Sequence, residues 1–165
     1  MTIGEERLKL AMPVGIGFDS HPLKEGRKLF LGGVEIPYPK GLVGHSDGDV
    51  VIHSIIDALL GAMNKKDIGF WFPDTDPRYK DIPSILLLSE VRRIVAREGF
   101  EVKNIDTVVV CAAPKISPYR EAMQEKIAQA LGIEKDLVSI KGKRGEGFIQ
   151  GEVIVSYSVV SLEET

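Results

Sequence analysis

Between Ile52 and Met63 the apolar residues fall at Ile52, Ile55, Ile56, Leu59, Leu60 and Met63, the i, i+3, i+4, i+7 spacing of one buried helix face. On either side of that run the chain reads differently. PVGIGFDSH before it, and IDTVVVCAAP, LVSIK and EVIVSYSVVSL after it, are short strand-forming stretches bounded by turn residues. A second helix is expected from Ser84, with Ile85, Leu88, Val91, Ile94 and Val95 inward and Gly99 as its stop. A third starts at Ser117-Pro118, where the missing proline N–H costs nothing, and ends at Gly132. A chain that switches repeatedly between the two periods is constrained to layers of helix and sheet around one core. The expectation is an α/β fold (an α+β sandwich) with one mixed sheet of about four strands and helices packed on one face. KLFLGGVEIP adds a small N-terminal hairpin around Gly32-Gly33. Ser46 or Asp47 is the expected N-cap of the first helix.

Composition narrows the class of protein. The 165 residues suit a single domain over 1–165, with about 1–12 as an N-terminal extension. With 21 basic and 24 acidic side chains the net charge is −3, which argues against a nucleic-acid partner. Cys111 is the only cysteine, so no intrachain disulfide forms and a reducing, cytoplasmic setting is expected. The N-terminus lacks the apolar stretch of a secretory signal, and no apolar run reaches the ~18 residues of a membrane span.

The chemistry-bearing residues cluster around the first helix. Asp19 and His21 are two apart at the end of a predicted strand, so if its alternation persists both side chains point to the same face. His53 stands beside the Ile52–Ile56 stripe, with Asp49 and Asp57 one turn to either side. Aspartate with two histidines is a three-ligand set suited to zinc, with a fourth position for substrate; singly, each residue also reads as structural. Phe72, Pro73, Asp74, Thr75, Asp76 and Pro77 form an acidic turn, either a plain Asx turn or a set of acceptors for a polyol. Asp67, Ile68 and Gly69 stand just upstream in the same stretch, KKDIGFWFPDTDPRYKDIP, which reads as a polar loop long enough to suspect function. Cys111, Ala112, Ala113, Pro114, Lys115, Ile116 and Ser117 run from a strand into a helix start, where small residues admit a flat ring and Lys115 favours an anion. The loop Gly142–Gly151 carries Lys143, Arg144 and Glu146, and reads as a phosphate cradle or as a solvated loop.

GFDSH, IPYPKGLVGHSDGDVVIHSIIDALLGA, DIGFWFPDTDP and APKISP, in this order and spacing, resemble the 2-C-methyl-D-erythritol 2,4-cyclodiphosphate synthase family from about Val14 to Lys141. The resemblance implies a homotrimeric lyase of the non-mevalonate isoprenoid pathway, with active sites between subunits. It implies conversion of 4-diphosphocytidyl-2-C-methyl-D-erythritol 2-phosphate to the cyclic diphosphate with release of CMP. By the same resemblance Asp19, His21 and His53 hold Zn²⁺, and His45 and Ser46 contact phosphate. Asp67 to Gly69 and Phe72 to Asp76 hold the methylerythritol part, and Cys111 to Ser117 of a neighbouring subunit receive cytidine. Glu146 falls on a ligand of a second ion, Mg²⁺ or Mn²⁺.

One stretch departs from the family pattern. Its Thr-Thr-x-Glu loop is replaced by a shorter one, in which an ungapped match sets Arg144 at the threonine that steadies the transition state, with Lys143 before it. A gap placed earlier removes Glu146 from the ligand position. Two other readings of the same residues are a zinc-dependent phosphohydrolase and a non-catalytic cytidine-nucleotide module.

Overall fold

The computed structural model describes residues 12–147 and 152–165. The extension expected over 1–12 therefore lies, apart from Met12, outside the described residues, as do residues 148–151 of the glycine-rich loop. The strands are β1 (Val14–Glu25), the hairpin β2 (Leu29–Leu31) and β3 (Val34–Ile36), β4 (Lys40–Leu42), β5 (Phe100–Val110), β6 (Val138–Lys143) and β7 (Val153–Glu164). The helices are α1 (Val50–Ala62), the single turn α2 (Ile68–Trp71), α3 (Ser84–Arg97) and α4 (Arg120–Leu131).

The main sheet has the order β4-β1-β7-β5-β6, antiparallel except for the parallel pair β5–β6. It has five strands, the four long ones expected plus β4, three residues that join the edge beside Leu23–Glu25. β1 runs well past FDSH, because its polar second half pairs with β4 and β7 rather than turning away. Asp19 and His21 thus sit within a strand and not at its end. β6 likewise continues through Gly142 and Lys143, which the sequence places in a loop, since both stay in register with Val109 and Val110.

Two glycines decide how the helix layer meets the sheet. A Cβ on Gly15 would lie 1.8 Å from the carbonyl oxygen of Ala58, and one on Gly17 would lie 1.8 Å from that of Ser54. Helix α1 therefore rests directly on the backbone of β1, closer than side chains allow. Beneath it the polar groups are small and satisfied. The Ser54 hydroxyl lies 2.9 Å from Ser156 Oγ and 2.7 Å from Ser158 Oγ, and Ser158 is 2.7 Å from Thr107. Val50, Val51, Ile52, Ile55, Ile56, Ala58, Leu59 and Leu60 are all fully buried, so α1 is covered well beyond the stripe that its periodicity marks, while Met63 is its half-buried C-cap.

The cap of α1 is Asp49, not Ser46 or Asp47. Its carboxylate accepts from Val51 and Ile52 N–H at 3.1 Å, and also from Gly32 and Gly33 N–H at 2.9 and 2.8 Å, which ties the β2–β3 hairpin to the helix start. Asp47 faces away and accepts from Ser84 N–H at 2.9 Å, at the start of α3. Three acceptors stand close together in this run, and only tertiary packing selects among them. On the opposite face of the sheet, among the described residues, Val14, Ile16 and Phe18, with Tyr157 and Val159 across the β1–β7 pairing, are exposed.

Candidate metal and substrate site

The alternation that turns Gly15 and Gly17 toward α1 turns Asp19 and His21 to the same side. Because α1 lies on the strand at Gly17 through Ser54, its neighbour His53 arrives beside Asp19. His53 Nδ1 is 2.8 Å from Asp19 Oδ2, and His21 Nε2 is 3.0 Å from the same oxygen. One ligand atom from each of the three residues lies within 4.8 Å of the others, the one such group of three or more among the described residues. Donor set and spacing both fit a divalent ion of the zinc type. Burial alone would raise the Asp19 carboxyl, but the hydrogen bonds and charges of His21 and His53 prevail and hold it at about 2. Burial opposes charge on His53, yet its hydrogen bond to Asp19 and the nearby carboxylates lift it above the ordinary histidine value. The cluster is poised to hold a positive charge between Asp19 and the two rings.

A cleft of about 220 Å³ opens over the cluster, lined by Asp19, His21, His45, Ser46, His53, Ile68, Gly69, Phe72, Asp74 and Tyr79. Its far wall is the stretch after α1, whose two short helical pieces replace the loop that the sequence suggests. Asp67 caps α2 through Phe70 N–H at 3.1 Å, and Asp57 accepts from Ile68 N–H at 2.8 Å, fixing that wall to α1. Phe72 stacks edge-on against Tyr79 with ring centres 5.4 Å apart. Tyr79 is a cleft residue that no local signal marks; only this contact brings it there. His45 Nε2 donates to the Asp76 carbonyl at 3.1 Å. The Asp76 carboxylate is engaged by Arg78, at 2.7 Å from the guanidinium and 2.9 Å from its N–H, which holds the carboxyl below the usual range. Asp67 and Asp76 thus shape the wall, and neither they nor Pro73 and Thr75 line the cleft.

A second cleft, of about 190 Å³, lies at the ends of β5 and β6. Its walls are Cys111, Ala112, Pro114, Lys115, Ile116 and Ser117, facing Gly142, Lys143 and Arg144. Cys111 N–H donates to the Lys143 carbonyl at 3.0 Å, which holds the two walls together, and within its own wall the Cys111 thiol donates to the Pro114 carbonyl at 3.4 Å. Ile116 packs so tightly on Gly142 that a Cβ there would lie 2.8 Å from its own. Ala113 belongs to the segment but does not line the cleft. Two lysines and an arginine around small residues suit a phosphorylated, flat ligand. The two clefts share no lining residue. Glu146 stands in the exposed turn after β6 with φ +44°, between Gly145 and Gly147, which also have positive φ, and it joins no ligand cluster among the described residues.

The sequence pattern of the YgbB family matches residues 12–163. The 2-C-methyl-D-erythritol 2,4-cyclodiphosphate synthase of Caldicellulosiruptor bescii is 54% identical over 154 residues, covering 92% of this chain and 98% of the relative. That of Aquifex aeolicus is 47% identical over 153 residues, covering 93% and 98%. A solved 2C-methyl-D-erythritol-2,4-cyclodiphosphate synthase in a CDP-bound form superposes with a TM-score of 0.85, at 37% identity over 91% of this chain and 99% of that one.

Proposed function

This chain belongs to the YgbB family, and from that premise we infer that it carries out the chemistry for which its relatives are named. It is a lyase of isoprenoid biosynthesis that closes 2-C-methyl-D-erythritol 2,4-cyclodiphosphate from 4-diphosphocytidyl-2-C-methyl-D-erythritol 2-phosphate, with loss of CMP. The observation that carries the reading is the meeting of Asp19, His21 and His53 at the floor of a cleft walled by Ile68, Gly69, Phe72 and Asp74.

We propose the finer assignments on the same basis. Asp19, His21 and His53 hold Zn²⁺, which when bound supplies Lewis-acid polarisation of the phosphate under attack. The substrate brings its own nucleophile, an oxygen of the 2-phosphate, which forms a bond to the β-phosphorus as the bond to CMP breaks. The protein therefore needs to bend, position and neutralise rather than attack. His45 and Ser46 face the phosphates from the cleft rim, and Ile68, Gly69, Phe72 and Asp74 seat the methylerythritol, with Asp67, Pro73, Thr75 and Asp76 holding that wall in shape. Cys111 to Ser117, with Lys143, receive the cytidine part, and Arg144 offers a phosphate-matched fork where the family keeps a threonine. Glu146 remains the candidate for a second ion, Mg²⁺ or Mn²⁺.

The whole chain is read as one domain working in the cytoplasm, as a homotrimer with sites between subunits. Two features support the assembly: the apolar face of β1 and β7 that is exposed among the described residues, and the separation of the two clefts within one chain. Among the described residues no helix is long and apolar enough to cross a membrane.

Phosphorus NMR of the diphosphocytidyl substrate with Zn²⁺ and Mg²⁺ is expected to show CMP and a cyclic diphosphate rising together. Inorganic phosphate in place of the cyclic product would instead mark a hydrolase. A shared site makes a second prediction. An inactive Asp19→Ala protein and an inactive Lys115→Ala protein, mixed under subunit exchange, regain a measurable fraction of turnover; no recovery, with exchange verified by mass, would return both clefts to one subunit.

A further inference from the structure

Ser84 opens α3 and is fully buried, 31 residues from His53 in sequence. Its N–H donates to Asp47 Oδ2 at 2.9 Å, and its hydroxyl donates to Oδ1 of the same carboxylate. Asp47 Oδ1 also accepts from Asp49 N–H at 3.1 Å, so both oxygens are occupied as acceptors and the side chain cannot turn. A serine hydroxyl has one proton to give. Since the carboxylate only accepts, that proton goes to Asp47, and Ser84 Oγ faces its other neighbours as an acceptor. One of these is His53 Nε2, at 2.8 Å. The nitrogen on that edge of the ring must therefore carry a hydrogen. Ser46 Oγ completes the enclosure, 3.1 Å from His53 Nε2 and 3.2 Å from Ser84 Oγ.

The opposite edge of the ring is Nδ1, 2.8 Å from Asp19 Oδ2 in the ligand cluster. We propose that Asp47 and Ser84 are positioning residues for the metal centre: the chain Asp47–Ser84–His53 pins the histidine proton on Nε2 and reserves Nδ1 as the donor atom for the ion. The inference rests on the reading of Asp19, His21 and His53 as metal ligands. It adds two residues outside the ligand set, one at each end of a link between the start of α3 and the turn before α1. Hydrogen-bonded partners of this kind orient a metal-bound imidazole and make it a better ligand, and their loss typically costs about 10–100-fold in metal affinity.

The test is made on the full chain loaded with Zn²⁺. In wild-type protein labelled with ¹⁵N, the His53 ring is expected to show a slowly exchanging proton on Nε2 and a metal-shifted Nδ1. Ser84→Ala, which keeps the N–H donated to Asp47, is expected to weaken Zn²⁺ binding by about 10–100-fold in a chelator competition and to free the ring proton to exchange. Ser84→Thr, which keeps the hydroxyl, is expected to retain the wild-type ring signal. A metal-shifted Nε2 in the wild type would overturn the proposal. So would a Ser84→Ala protein that melts lower yet binds Zn²⁺ as tightly as before. Wild-type protein that takes up no Zn²⁺ would overturn the ligand assignment and this link with it, a failure told apart because it needs no variant.

Discussion

Gly17→Ala is expected to lower the melting temperature by about 10 °C or more, with much of the protein lost to aggregation on expression. The added Cβ would stand 1.8 Å from the Ser54 carbonyl oxygen and 2.8 Å from Ala58 N, which are backbone atoms of a helix and cannot swing aside. Either α1 lifts off β1 by more than an ångström, or the strand buckles. Overpacking a core typically costs about 1–3 kcal/mol when side chains can adjust, and more when they cannot. Lifting α1 would also loosen Ile52, Ile55, Ile56 and Leu59 and part the buried hydroxyls of Ser54, Ser156 and Ser158. A loss of about 4 kcal/mol is a large part of the ~5–15 kcal/mol that holds a domain together. Gly61→Ala is the control. It sits on the exposed side of the same helix, where a Cβ meets nothing nearer than 3.9 Å, and is expected to stabilise by about 0.5–1 kcal/mol. Differential scanning fluorimetry of both variants checks the sign as well as the size. An unchanged melting temperature for Gly17→Ala would mean that helix and strand are not in direct contact.

His53→Ala is expected to cut turnover about a thousandfold or more while leaving a folded protein. Lewis-acid stabilisation of a phosphoryl transition state is worth several kcal/mol, and about 4 kcal/mol corresponds to a factor of roughly 10³. The variant removes one of the three proposed ligands and leaves Asp19 with His21 alone, 3.0 Å away. It also leaves the hydroxyls of Ser46 and Ser84 facing a space that water can enter. The fold itself depends little on this ring, since the packing of α1 rests on Ile52, Ile55, Ile56 and Leu59. Zn²⁺ content by atomic absorption, turnover and the far-ultraviolet circular dichroism spectrum are measured on one preparation. Full activity with wild-type metal content would remove His53 from the centre.

What the sequence shows plainly is whatever depends on neighbours in the chain. The Ile52–Leu60 spacing, the two-residue step from Asp19 to His21, the paired glycines of the hairpin and the stop at Gly132, which has φ +66°, are all local matters, and each is found where expected. What it hides depends on distant partners. Nothing in HSDGD says that Asp49 caps its own helix while Asp47 reaches the start of another, because the two acids differ only in what packs above them. β4 is too short to mark itself and exists as the partner of the tail of β1. Tyr79 and Ser84 reach the cleft and its surroundings through tertiary contacts alone. The family resemblance points to the ligand candidates, but only the packing of α1 on Gly17, two residues from Asp19, sets how near His53 can come.

The sheet order has a consequence for synthesis. Strand β7 comes last along the chain and yet lies in the middle of the sheet, between β1 and β5, with Val14 opposite Ser161 and Phe100 opposite Glu164. A ribosome releases β1 and β5 before the strand that joins them, so until β7 emerges each of the two lacks its central neighbour and has an open edge. Such edges are templates for pairing with other chains, and distant pairings of this kind form slowly. The two halves become one sheet only when β7 pairs with both, so the contacts that complete the fold span most of the length of the chain.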